Sequence, residues 1–155
     1  MNRIKINIQL GIATFLSSLL LLAACSSEPD YKVIRQDVVE LHDKLMADGE
    51  TAIHLKMKLD TVAITGSQES KTQITELITK LNAADESMMD WMQDFKADVE
   101  GMNNAQAVAY FNGEKVKLVK MDSLYKVALS GAEAYLKKVG VDTHSNQDGH
   151  DHSTH

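Results

Sequence analysis

The stretch Ala84-Asp85-Glu86-Ser87-Met88-Met89-Asp90-Trp91-Met92-Gln93-Asp94-Phe95 decides how this chain folds. Ala84, Met88, Trp91 with Met92, and Phe95 recur at steps of three and four, the spacing that places side chains on one face of an α-helix. Three of the eight methionines and the only tryptophan fall here. Upstream the stripe continues through Leu81, Ile78, Leu77 and Ile74, and Ser67 or Ser70 stands where a hydroxyl caps a helix start. The stretch therefore reads as the second half of a middle helix, with a neighbouring helix folding against it from each side.

Thr65-Gly66-Ser67-Gln68 has no apolar member and contains a helix-stopping glycine, so the chain reverses there. Before that turn Ile34, Val38, Leu41, Leu45, Asp48, Ala52, Leu55, Leu59 and Val62 follow alternating steps of four and three, the seam of a bundle helix running from Tyr31 to Ile64. Only Asp48 interrupts the seam, and Gly49 beside it is a weak interior point costing roughly 1 kcal/mol relative to Ala. Beyond Phe95 the pattern lapses from Lys96 to Asn104, a second connection. A third helix carries Val108, Phe111, Leu118, Met121, Tyr125, Ala128, Ala132, Tyr135 and Leu136. Asn112-Gly113 favours a turn and is the place where this helix would split in two. Gly140 ends it. The predicted fold is all-α: an antiparallel three-helix, up-down-up bundle over residues 31–140, followed by a polar, aperiodic tail, 141–155, expected to be disordered.

Composition agrees with one small helical domain: 155 residues, one Pro and 5% aromatics. Two of the 16 basic residues, Arg3 and Lys5, lie in the first 25 positions, which hold no acid, so the remaining 14 face 22 acidic residues. Such a balance argues against nucleic acid as a partner.

The N-terminus sets the address. Arg3 and Lys5 precede an apolar run from Ile8 to Ala24, the form of a secretory signal peptide over residues 1–24. Its ending, Leu22-Ala23-Ala24-Cys25, resembles the lipobox of bacterial lipoproteins, in which the chain is cut before a cysteine that then receives acyl chains. On that resemblance Cys25 is lipidated and residues 25–30 tether the bundle to a bilayer. More than one acyl chain anchors far more firmly than a single one. The alternative is an uncleaved membrane anchor with an ordinary Cys25. A lone cysteine excludes an intrachain disulfide. Ser26 stands where an aspartate would signal inner-membrane retention, so the resemblance implies the outer membrane.

Two places offer metal ligands. Reversal near Ser67 pairs positions of the first two helices whose numbers sum to about 134, good to one turn at about 1.5 Å per residue. His42 then lies level with Met92, Met46 with Met88, and Asp48 with Asp85 and Glu86. His42 and Met46 share a face, as do Met88 and Met92, so an imidazole and up to three thioethers converge in one layer. Thioether sulfur selects Cu(I), and imidazole accepts Cu or Zn. The other reading of the same residues is adaptable core filling. In the tail His144, His150, His152 and His155 alternate with Asp148 and Asp151, a flexible set able to wrap Zn, Ni or Cu.

Asp48 and Asp85 at one level are the only candidates for a coupled carboxylate pair; the alternative is that each reaches water or meets Lys44 or Lys80. No Ser-His-Asp grouping, Gly-rich phosphate loop or His-Glu-x-x-His spacing is present, so an enzyme is not expected.

The motifs His42-Asp43-x-x-Met46 and Ala84-Asp85-x-x-Met88-Met89-x-Trp91-Met92-x-x-Phe95, behind a lipobox, resemble small bacterial lipoproteins often labelled "viral A-type inclusion protein". The resemblance covers Val33 to Leu136 and implies a helical envelope protein without an assigned activity. It also implies a methionine three residues after Met46, where this chain has Gly49. Two functional classes follow: an envelope protein that binds a soft or borderline metal, or a tethered structural module that presents a face to another envelope protein.

Overall fold

The computed structural model describes residues 28–143. The expected signal peptide, Cys25 and the histidines His144, His150, His152 and His155 lie outside the described residues. Three helices make up the described part: α1, Tyr31–Thr65; α2, Gln68–Asp94; and α3, Asn104–Lys138. All three pack on one another as a three-helix bundle, with no strand among the described residues. None of these helices is long and apolar enough to cross a membrane.

Each helix begins on a side chain that satisfies an otherwise orphaned backbone donor. Asp30 accepts from Lys32 N, and Ser67, rather than Ser70, accepts from Ser70 N. Asn103 and Gln106 form a reciprocal capping box, each side chain accepting from the other's backbone N–H at 3.0 Å. At the far end Gly140 adopts a φ of 78°, and the Val141 N–H returns to the Leu136 carbonyl at 2.9 Å, the six-to-one bond of a Schellman stop. That stop folds Val141 back against the core, and the Asp142 carbonyl accepts from Lys58 Nζ. Contact with the bundle thus runs past Gly140, where the sequence pattern ends.

The core takes one stripe from each helix. Val38, Leu45, Leu55 and Leu59 of α1 meet Ile74, Leu81 and Met88 of α2 and Phe111, Leu118 and Tyr125 of α3. The largest interface lies between α1 and α3, which run parallel over 35 residues each, and not around the shorter α2. Their starting ends are tied together: Asn104 donates to the Pro29 carbonyl and accepts from Tyr31 N. An aromatic cluster fills that end, with Trp91 stacked on Phe95 at 4.5 Å and Phe111 in contact with Tyr31, Phe95 and Tyr110.

Asn112-Gly113, the place where the third helix could split, stays helical; α3 is continuous. Phe111 and Glu114 on either side are both buried, and their tertiary contacts override the local turn preference of the dipeptide. Gly113 itself faces solvent, and a Cβ there would meet nothing within 4 Å. Gly113→Ala should therefore stabilise the bundle by about 1 kcal/mol. Thermal CD should show the midpoint rising by a few degrees; a falling midpoint would reveal a need for glycine that the helix geometry does not contain.

Candidate functional site

Along the decisive stretch of α2, Ala84, Met88 and Trp91 point into the core, while Asp85, Met89 and Met92 flank them on the side towards α1. Opposite, α1 presents Met46, Gly49, Glu50, Ile53 and Lys56. Between the two helices lies a groove of about 590 Å³, largely apolar, with Tyr125 of α3 at its floor. Four methionines line it: Met46, Met88, Met89 and Met92. Met46 and Met88, expected at one level, both line the groove, and Met92 and Met89 join them. Met88 is buried, but Met46 and Met89 keep 46% and 54% of their surface in solvent.

His42 stands in the next cavity along the same helix pair, about 300 Å³, with Val38, Trp91, Met92 and Phe95. Its ring lies 5.8 Å from the Trp91 ring, and its Nδ1 is 2.9 Å from Asp43 Oδ1. His42 thus shares Met92 with the groove while Met46 and Met88 lie on the groove side alone. Antiparallel register explains the neighbourhood of these residues.

A polar network closes the floor of the groove. Tyr125 Oη donates to Asp85 Oδ1 at 2.8 Å, and Lys56 Nζ donates to Asp85 Oδ2 at 2.6 Å and to Asn82 Oδ1 at 3.1 Å. Burial, then the hydrogen bond and charge of Asp85, push the Tyr125 phenol well above the ordinary tyrosine range. Gly49 is what lets the hydroxyl reach Asp85. A Cβ at position 49 would lie 3.2 Å from Tyr125 Oη and 3.7 Å from Asp85 Oδ1. A side chain there would require that hydroxyl to give way by a few tenths of an ångström.

The two aspartates that share a level are each taken by a lysine. Asp48 pairs with Lys44, as the sequence allows, whereas Asp85 pairs with Lys56 rather than Lys80. Lys44 also reaches Asp122 of α3, which Lys126 holds from its other side. The bonds to Lys126 and Lys44 hold the Asp122 carboxyl below its usual range, and those to Asp122 and Asp48 raise the Lys44 ammonium.

One buried polar centre is absent from the sequence reading. Glu114 is 5% exposed; its Oε2 accepts from Trp91 Nε1 at 2.8 Å and its Oε1 from Lys117 Nζ at 2.8 Å. The bond to Glu114 raises the Lys117 ammonium above its ordinary value. The available signal is the gap in the α3 stripe between Phe111 and Leu118, where Glu114 takes the seam position, together with the need of a buried indole N–H for an acceptor. Among the described residues no buried side-chain nitrogen or oxygen lacks a partner.

Chemically, the groove offers neutral, polarizable sulfur. No three His, Cys, Asp or Glu side chains gather to hold a metal among the described residues, so a metal in the groove would draw chiefly on thioethers. Family models, curated proteins and solved structures yield no match to this chain.

Proposed function

We propose that this chain is a non-catalytic lipoprotein of the bacterial envelope, anchored in the outer membrane through acylated Cys25, whose bundle binds Cu(I) through the methionine groove. The observation that carries the reading is the gathering of Met46, Met88, Met89 and Met92, four of the seven methionines among the described residues, on one groove. Core filling accounts for Met88, but it gives no reason for methionine at half-exposed Met46 and Met89. Accessible thioethers suit Cu(I), and Glu50 on the groove wall would favour a cation. His42, which lines the adjoining cavity with Met92, would contribute through Nε2, since Nδ1 faces Asp43. The tail histidines His144, His150, His152 and His155 supply a second set for Cu(II), Zn or Ni.

Exposed Met46, Met89 and Ile53 also support a second reading, in which the groove receives the apolar face of a helix from an envelope protein. One experiment separates the two. Replacing Met88 and Met92 by Leu conserves most of the volume and should cost less than about 1.5 kcal/mol each. In a chain lacking residues 143–155, competition against a chromophoric Cu(I) chelator should show the affinity falling at least tenfold in the double variant, with His42→Ala weakening it less. Unchanged affinity would refute the metal reading and leave the helix-receiving groove. Fatty-acid labelling that survives Cys25→Ser would refute the anchor.

A further inference from the structure

α3 carries apolar side chains on two faces. One is the core stripe; on the other Val116, Val119, Leu124 and Val127 are 50% to 65% exposed. At about 100° per residue these four fall within an arc of about 140°. Exposed Lys120 stands inside the arc, with exposed Lys117 and Lys126 at its two borders, each also bonded to a carboxylate of its own helix, Glu114 and Asp122. No acid of α3 shares this face, and Asp90 and Asp94 of α2 line its edge beside Lys117, Lys120 and Leu124. Glu114 is buried, Asp122 is engaged by Lys44 and Lys126, and Glu133 lies about 100° from its centre. Over its whole length α3 has six lysines against three acids, whereas α2 has two lysines against six acids. A chain of net charge -6 thus displays one apolar strip bordered by cations.

The occupant must offer apolar depth and negative charge together. A second copy's α3 would set lysines against lysines. A second copy's α2 offers acids, but Met89 is its single exposed large hydrophobic residue, which leaves the valines uncovered. An anionic bilayer offers both: the valines and Leu124 enter the interface while the lysines lay their stems along it and reach phosphate.

Geometry brings the bilayer close. Asn104 at the start of α3 holds the Pro29 carbonyl at 3.1 Å. If Cys25 is acylated, four Cα steps separate it from Pro29, at most about 14 Å. We infer that the outer face of α3, built on Val116, Val119, Leu124 and Val127 with Lys117, Lys120 and Lys126, docks on an anionic lipid bilayer. Tyr125 lies about 180° around α3 from the centre of that face, so docking would turn the methionine groove away from the membrane. The inference rests on the anchor reading for proximity alone and is independent of metal binding.

The test uses the full chain with Cys25→Ser, so that Val127→Cys supplies a single thiol for an environment-sensitive fluorophore. The chain is reconstituted into vesicles of phosphatidylcholine, with or without phosphatidylglycerol. Emission at position 127 should shift to the blue and escape an aqueous quencher in the anionic vesicles, and salt should weaken the effect. Replacing Lys117, Lys120 and Lys126 by Gln should abolish it, while a label introduced by Glu76→Cys on the exposed side of α2 should report water throughout. No shift, an equal shift in neutral vesicles, or equal shifts at both positions would overturn the proposal. So would a shift in lipid-free detergent at rising protein concentration, which would signal self-association, or one produced equally by soluble polyglutamate. Acylation of Cys25 is read separately, by fatty-acid labelling of the native chain, so failure of the anchor and failure of docking are distinguishable.

Discussion

Trp91→Ala should cost the bundle about 3 to 5 kcal/mol, a large part of the total stability of a domain this size. Trp91 packs against Phe95 and His42 and closes the aromatic cluster between the end of α2 and the starts of α1 and α3. Truncation would leave a cavity there that the ends of three helices cannot all collapse to fill. It would also take the indole donor from Glu114, a carboxylate that has only Lys117 besides. Losing a partner while the other stays buried costs more than the net worth of the bond. The measurement is urea unfolding followed by far-UV CD, since the variant has no tryptophan. Trp91→Phe should lose the hydrogen bond but keep most of the packing, and so fall between wild type and Ala. If Trp91→Ala costs under about 1 kcal/mol, Trp91 is not the anchor described here.

Asp85→Ala should cost about 2 to 3 kcal/mol, because it leaves the Tyr125 hydroxyl without its acceptor and the Lys56 ammonium with Asn82 alone. The Lys56–Asp85 pair keeps some access to water, so the loss stays below that of a fully buried ion pair. Asp85→Asn, which preserves an acceptor for Tyr125, should cost about 1 kcal/mol. The same network fixes a pH dependence. The folded-state pKa of Tyr125 is raised above its unfolded value of about 10, so its contribution is fully present below that pH and is lost as pH rises beyond it. Urea midpoints measured at increasing alkalinity should fall in the wild type and fall less in Tyr125→Phe. Parallel curves for the two proteins would show that another group controls alkaline unfolding.

Much of the fold was legible because helical periodicity is a local property. The steps of three and four through Ile34 to Val62 and through Ile74 to Phe95, with Gly66 and Ser67 between them, define two antiparallel helices. Their lengths then fix the register to within a turn, which is why Met46 and Met88 were expected at one level and line one groove. The seam positions of α3 were nearly as plain, except at Glu114 and in the first turn, where Ala107 rather than Val108 is buried. A carboxylate in a stripe reads as a break in the pattern until the residue that bonds it is known.

The sequence by itself determined the direction and approximate outer ends of the helical segments, and most of the face that each buries, since these follow from spacing along one chain. It also determined which thioethers share a helix face. Only the tertiary structure decided who meets whom across the bundle. Asn112-Gly113 stays helical because Phe111 and Glu114 are held from outside the helix. His42 and Met46, four residues apart on one face, separate into two cavities, a division that no single-helix pattern records. Gly49, a weak point when read along α1, becomes the gap through which Tyr125 of α3 reaches Asp85 of α2. Each of these outcomes depends on distances between helices, and the period of a helix carries no information about its neighbours.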